Sequence, residues 1–398
     1  MVDGMSRFRL YPAPAQERTL SQHCSHARFV WNLAVEQHSH WRRDRPRAPG
    51  LAEQCRQLTE ARQEFGWLAA GSCTVQQQAL SDFSKCMAGH TAGRTGRPGW
   101  RKKGRHEGFR IVAVRTNQVR RVSKRYGLVY IPKAGWVRFR WSRSVPPAKS
   151  YRVTRDAAGR WHIAFAMIPE PVRGPGTRAL VGLDRGVVNS VTLSTGEQLR
   201  CPSMSPSQAK RFARQQRRLA RARRGSKRRA KVLQVLARSK AREVDRRKDW
   251  IEKVSTNLAR RFDIIRVEDL QIGNMTRSAR GTREAPSRHS SRKAKLNKRM
   301  LASGWGLLIR RLEDKAGRRV ERVSAYYTSQ RCSVCGYRAP QNRKSQAVFE
   351  CGRCGHRDDA DINAAKNIAA GRAVTARGGM PMGKPMNREP RHATSSGA

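Results

Sequence analysis

Acidic residues are scarce in this chain. Its 398 residues hold 29 Asp plus Glu against 84 Lys plus Arg, a formal net charge of +55. So one-sided a chain repels itself when compact unless a polyanion neutralises it. An enzyme of small metabolites is therefore excluded as the default, and no small-molecule substrate is expected. Long apolar runs are also missing. No 18-residue apolar stretch occurs, and no basic helix shows a clean aromatic face, which argues against a membrane as the polyanion. The N-terminus MVDGMSRFRLYP has no apolar core of the kind a secretory signal needs. The expected setting is a reducing prokaryotic cytoplasm, with the protein at the nucleoid when on DNA. Internal repeats are absent as well. Nucleic acid remains: an RNA–DNA duplex of about 20 base pairs carries roughly 40 phosphates, the scale of this charge.

Four of the nine cysteines are spaced as pairs. Cys332 and Cys335 read C-x2-C, as do Cys351 and Cys354, with fifteen residues between the pairs. Two intervening residues let both thiolates of one turn reach the same ion, and four thiolates close the tetrahedral shell of a structural zinc site. Gly336, Gly352 and Gly355 stand where tight turns need a positive φ. Cys24, Cys55, Cys73, Cys86 and Cys201 lack such spacing and read as ordinary reduced thiols.

Periodicity divides the rest into an α/β chain with a small β-barrel. Residues 5–12 read as a strand, and residues 15–45 and 51–90 as helices. Short β-rich runs between 109 and 168 suggest the barrel, with FRLYP as its first strand. Trp136, Arg138 and Arg140 alternate there with Val137, Phe139 and Trp141. Residues 169–176 read as a linker. Strands are expected at ALVGLD, VVNSVTL and FDIIRVEDL. Residues 206–260 read as two antiparallel basic helices parted at Gly225, with 18 Lys/Arg and two acids between Lys210 and Lys248. Their apolar stripe is Val232, Leu233, Leu236, Ile251, Val254 and Leu258. A mobile arginine-rich loop is expected at 273–296, a helix at 297–316, a strand at 319–325, and a helix from about 361 to 372.

Three acids fall where a folded sheet would deliver them to one edge. Asp184 ends one apolar strand, Glu268 ends another, and Asp361 opens a helix. Two Mg2+ ions about 4 Å apart need such a carboxylate cluster to cut a phosphodiester in line, and hard oxygen ligands suit them. Taken singly, each acid has a plainer role: a turn residue, an arginine partner, a helix N-cap. Asp358 and Asp359 leave the third position open.

The set of motifs resembles the TnpB family, also known as OrfB transposases, transposon-encoded relatives of type V CRISPR effectors. The resemblance rests on Val181-Gly182-Leu183-Asp184-Arg185-Gly186-Val187, Val267-Glu268-Asp269-Leu270, Tyr327-Thr328-Ser329-Gln330 before Cys332, and Asp361-Ile362-Asn363-Ala364-Ala365-Lys366-Asn367-Ile368. Arg9-Leu10-Tyr11-Pro12, Ala27-Arg28-Phe29-Val30-Trp31-Asn32 and Gly96-Arg97-Pro98-Gly99-Trp100-Arg101-Lys102-Lys103 extend it more loosely, to about 1–370.

That resemblance implies an RNase H-like RuvC nuclease domain with an inserted zinc ribbon, and an N-terminal wedge barrel interrupted by a helical recognition domain. The expected division is 1–12 and 93–172 for the wedge barrel and 13–92 for recognition. The nuclease domain follows at 177–328 and 358–372, the ribbon at 329–357 and a disordered basic tail at 373–398. It further implies a guide RNA, double-stranded target DNA, catalysis by Asp184, Glu268 and Asp361 holding Mg2+, and structural zinc on the four cysteines. Asp361 is preferred to Asp359 because it precedes the Asn-Ala-Ala of the motif. The basic helices at 205–260 would grip a heteroduplex by its backbone. Trp100 and Phe109 could stack on bases, although core packing is the plainer role. Two rival functions use the same scaffold: a non-catalytic nucleic-acid-binding regulator, and a transposase joining DNA ends.

Overall fold

The computed structural model describes residues 7–40, 48–105, 107–145, 147–166, 170–277 and 290–371. The tail expected at 373–398 and residues 278–289 of the expected loop lie outside these. The chain divides into two compact units. The first comprises residues 1–174, 201–260 and 301–317; the second comprises 175–200, 261–300 and 318–398.

In the first unit, β1 (Arg7–Tyr11), β2 (Gly108–Val112), β3 (Val119–Arg121), β4 (Tyr126–Ile131), β5 (Gly135–Arg140), β6 (Ser150–Arg155) and β7 (Trp161–Phe165) form one antiparallel sheet. Its order is β2-β6-β7-β1-β5-β4-β3. β1 sits at the centre, pairing through Arg7–Arg9 with β7 and through Leu10 and Tyr11 with β5. The closed barrel expected from the strand run is not seen: among the described residues β2 and β3 remain unpaired edges. Closure requires every strand to be paired on both sides. β3 has only three residues, Val-Arg-Arg, and its two arginines are exposed, a composition that blunts an edge rather than extending it.

Period-2 alternation sets the inner face of this sheet. Phe8, Phe139 and Phe165 lie inward with ring centroids 5.7 Å apart in edge-to-face pairs. The helices α1 (Pro14–Ser39), α2 (Leu51–Glu64), α3 (Gly66–Ala69) and α4 (Cys73–Thr91) share the same core through Leu20, Val30, Leu58, Leu68 and Phe83. Phe109 is 2% exposed and belongs to that core, whereas Trp100 is 52% exposed. Two of the quoted motifs meet here. Trp31 Nε1 donates to the Gly99 carbonyl at 2.9 Å, and Asn32 exchanges hydrogen bonds with the Arg101 backbone.

The basic stretch forms α5 (Pro206–Arg221) and α6 (Lys227–Arg261), parted around Gly225. Val232, Leu236, Ile251 and Leu258 are buried, but Leu233 is 47% exposed, so the buried stripe is narrower than the sequence suggests. The helix expected at 297–316 is two, α8 (Ser290–Ser303) and α9 (Trp305–Ala316). Gly304, at φ 75° between them, breaks it.

The second unit is built on β8 (Leu180–Asp184), β9 (Val191–Leu193), β10 (Gln198–Leu199), β11 (Ile264–Glu268) and β12 (Val320–Val323), ordered β10-β9-β8-β11-β12. β8, β11 and β12 run parallel, β9 runs antiparallel to β8, and β10 pairs antiparallel with β9. A one-turn helix, α7 (Ile272–Met275), follows β11. A two-stranded ribbon, β13 (Val348–Glu350) against β14 (Arg357–Asp359), leads into α10 (Ala360–Ala369). Gly182 and Arg266 lie on the α10 side of the sheet, Arg266 Nη1 donating to the Ala369 carbonyl at 2.6 Å, while Val181, Leu183, Ile265 and Val267 are fully buried on the opposite face.

The approach of α10 to β8 is set by Gly182. A Cβ there would stand 2.1 Å from the Ala365 carbonyl oxygen and 2.4 Å from the Ala369 nitrogen, both backbone atoms that cannot rotate away. Gly182→Val is expected to destabilise the chain by at least the 1–3 kcal/mol of about one overpacked core site, read as a lower urea midpoint. An unchanged midpoint would contradict this packing.

Candidate active site and metal centre

β8 is buried over Val181, Gly182 and Leu183 and β11 at Ile265, Val267 and Glu268, while Arg266 on the other face of β11 pairs with Glu321 at 2.8 Å. The parallel register of β8 and β11 pairs Leu183 with Val267, so Asp184 and Glu268 emerge at the same carboxyl edge. Asp361 reaches that edge from α10. Asp359 is the N-cap, its Oδ1 accepting from the Asp361 and Ile362 amides at 2.9 and 3.2 Å. This leaves Asp361 inside the first turn, where the helix dipole favours negative charge. Its Oδ2 lies 3.5 Å from where a Cβ on Gly186 would stand. Asp358 is occupied elsewhere, paired with Lys366 at 2.7 Å and His356 at 3.7 Å.

Burial raises the proton affinity of all three acids, and Asp184 also feels the charges of the other two. Burial pushes the Asp184 carboxyl well above the ordinary carboxylate range, and the charges of Glu268 and Asp361 push it further, against Arg343 and Arg185. Burial also raises Glu268, which is 8% exposed, while the Thr328 hydroxyl, Arg185 and Arg343 pull it down. Asp361 is raised by burial and by Asp359, with Arg343 opposing. A set of carboxylates held partly protonated, or charged at a cost, is the donor set a divalent cation relieves. Asp184, Glu268 and Asp361 fit Mg2+ in chemistry. They are not drawn into one cage: among the described residues, the four cysteines are the one group of three or more metal-ligating side chains whose ligand atoms all lie within 4.8 Å.

That cysteine group has the dimensions of a tetrahedral thiolate site. Cys332 and Cys354 Sγ are 3.8 Å apart, and Cys335 and Cys351 Sγ are 3.6 Å apart. Four thiolates at about 2.3 Å from a zinc ion stand about 3.8 Å from one another. Gly336 and Gly355 take φ of 74° and 69° after the second cysteine of each pair. Gly352 does not; its amide instead donates to Asn342 Oδ1 at 3.0 Å.

The knuckle and the acids are joined by side-chain amides on α10. Asn367 Nδ2 donates to the Thr328 and Arg331 carbonyls at 2.9 and 2.7 Å, and Asn363 Nδ2 to the Arg331 carbonyl at 2.8 Å. Asn363 Oδ1 accepts from the Ser333 amide, beside Cys332, at 2.9 Å. Both asparagines are fully buried. Thr328 Oγ1 donates to Glu268 Oε1 at 3.0 Å. One continuous run of hydrogen bonds thus links the first cysteine pair, the helix bearing Asp361, and Glu268.

Sequence reasoning quotes Thr328, Asn363 and Asn367 only as parts of motifs, without roles; their signal is that three polar residues sit in otherwise well-packed segments. Arg343 is missed outright. Its Nη2 donates to Asp361 Oδ1 at 3.3 Å, and its charge is felt by all three acids. One arginine among 84 basic residues carries no signal in the sequence. Arg185 donates from Nη2 to the Glu268 carbonyl, fixing the ends of β8 and β11 together.

A chain named "Putative RNA-guided DNA endonuclease InsQ" from Escherichia coli (strain K12) is 32% identical over 394 residues, 96% of each chain. The chain belongs to the TnpB family. A "Putative RNA-guided DNA endonuclease" of Streptomyces pristinaespiralis is 30% identical over 383 residues, 94% of this chain and 90% of that one. Family models described as a Cas12f1-like TNB domain, a probable transposase and a helix-turn-helix domain match residues 305–368, 162–279 and 4–45 of this TnpB-family chain. Of the last, the described residues form β1 and the single long helix α1. A solved Cas12f1–sgRNA–target DNA complex aligns over 89% of this chain and 82% of that one at 15% identity and a TM-score of 0.49.

Cys351→Ser is expected to abolish stoichiometric zinc, measured by elemental analysis of purified protein. Wild-type zinc content in that variant would contradict the site.

Proposed function

We propose that this chain is an RNA-guided, Mg2+-dependent DNA endonuclease of a transposable element. The observation that carries the reading is the meeting of Asp184, Glu268 and Asp361 at one sheet edge with proton affinities raised by burial, that of Asp184 also by the other two acids. The order β10-β9-β8-β11-β12, antiparallel then parallel, supports an RNase H-like, RuvC-type nuclease domain formed from 177–328 and 358–372. The ribbon of 329–357, with zinc on its four cysteines, is inserted before its last helix. Residues 1–12 and 93–172 serve as the wedge, and 13–92 as the recognition segment.

Two Mg2+ ions, when bound, supply the activated water and the stabilised leaving oxygen of an in-line cut. The chain's own residues prepare for this. Asp184, Glu268 and Asp361 offer the hard oxygen ligands. Thr328 keeps Glu268 oriented and favours its ionised form, since a donated hydrogen bond stabilises the carboxylate. Arg185 locks the two strand ends. Arg343, beside Asp361, holds a positive charge at the edge where a phosphodiester must enter.

Guide RNA and double-stranded target DNA are the partners. The relatives' names support this, and so does the +55 charge. The 18 Lys/Arg between Lys210 and Lys248 suit a heteroduplex held by its phosphates, base pairing reading the sequence.

The protein purified with co-expressed RNA is expected to cut matched DNA with Mg2+ and to stop with a chelator; Asp184→Ala and Glu268→Ala should each reduce cutting below detection while retaining RNA. Undiminished cutting by either variant would overturn the site assignment. RNA binding without any cutting by the wild type would favour a regulator, and strand joining without RNA a transposase.

A further inference from the structure

The outward face of the first unit's sheet is unusually composed. The strands that bury Phe8, Leu10, Val129, Val137 and Phe139 present Arg7, Arg9, Tyr11, Tyr126, Arg138 and Arg140 on the other side. The register brings Tyr11 opposite Arg138 and Tyr126 opposite Arg140. Guanidinium groups stack on the rings: Arg138 lies 5.0 Å from the Tyr126 centroid and 5.9 Å from that of Tyr11, Arg140 lies 5.4 Å from Tyr126, and Arg9 lies 5.9 Å from Tyr11. Tyr126 also meets the Tyr11 ring edge-to-face at 6.1 Å, and Tyr11 is nonetheless 39% exposed.

Beside Tyr11 the sheet forms a cleft of about 560 Å3. Four of its lining residues are arginines, Arg7, Arg9, Arg140 and Arg160, and one is an acid, Asp245. Asp245 is shared between Arg160 at 2.6 Å and Arg7 at 3.5 Å. Arg9 has no such partner: its Nη1 is buried and makes no hydrogen bond. Burial and the charge of Arg7 hold the lining His162 at about 4, so it is neutral and the positive charge comes from the arginines. An arginine that lines the cleft without an ion pair leaves its positive charge to an anion bound there. The cleft volume is that of a small-ligand site, and an exposed ring beside unpaired arginine is how unpaired bases and their phosphates are held.

We propose that this cleft binds one unpaired nucleotide of the guide RNA, its base stacked on Tyr11 and its phosphate accepting from Arg9. Duplex does not present a free base face to Tyr11, so the ligand is a single-stranded or bulged position. On the RNA-guided reading the guide is bound before the target is read, which suits a cleft already formed in the chain alone. The assignment rests on the RNA-guided reading above.

The test measures affinity of the full-length protein for its co-purified RNA, and for single-stranded DNA of the same sequence, across a salt series. Tyr11→Ala is expected to weaken RNA binding by about 5- to 100-fold, the range for one stacked base, without changing the salt slope; Tyr11→Phe should restore it. Arg9→Ala should weaken binding and reduce the salt slope by about one, as loss of a single phosphate contact does. Unchanged RNA affinity in both alanine variants, with guided cutting intact, would overturn the cleft assignment alone. So would a defect confined to single-stranded DNA. Failure of the wild type to retain any RNA would overturn the RNA-guided reading, and this one with it.

Discussion

Three carboxylates forced together in a partly dry corner are the constraint on which the second unit depends. Asp184, Glu268 and Asp361 each resist ionisation because burial strips their water, and Asp184 also because its neighbours carry like charge. Folding does not favour such a group on its own account. It persists because everything around it is fixed by stronger terms: largely buried strands that end at the acids, a helix pressed against Gly182, and hydrogen bonds that leave Thr328, Asn363 and Asn367 little freedom. Cations bridging the acids, as proposed, would draw on the energy held there.

The four-cysteine knuckle belongs to that support. Its first pair is tied through the Ser333 amide to Asn363, two residues from Asp361, and its ribbon brings Arg343 onto the Asp361 carboxylate. A metal on the cysteines would therefore act on the reaction only by holding this geometry, since a closed thiolate shell leaves no open position for a substrate. On the proposed function, the soft thiolates and the hard carboxylates would hold different ions. The sheet face of the first unit adds a separate element, a cluster of arginines and tyrosines with no bearing on the chemical step.

Much of this was legible in the sequence, for local reasons. Apolar runs ending in Asp184 and Glu268 declare buried strands with an acid at the mouth, and paired C-x2-C spacing declares a common ion. The docking of motifs on one another was not legible, because Thr328 and Asn367 are 39 residues apart and only the fold joins them. Arg343 is indistinguishable from other arginines until the ribbon folds. The closed barrel failed for a similar reason: alternation predicts strands, but closure depends on whether two remote edges meet, and β3 is too short and too charged to extend the sheet. Gly304 broke a helix that periodicity alone carried straight through.

The crowding of the acids is tested most directly by thermal unfolding of the wild type and Asp184→Asn, with EDTA and with Mg2+, across pH. A carboxyl whose folded pKa is raised destabilises the fold as pH climbs above the unfolded value of about 3.9, and the loss is complete above the folded value. At pH 7.5 in EDTA, Asp184→Asn should melt higher than the wild type, and the gap should close as pH falls toward 4. Mg2+ should stabilise the wild type more than the variant, because it binds the folded carboxylates. A variant that melts no higher than the wild type in EDTA, or that gains as much from Mg2+, would contradict the account.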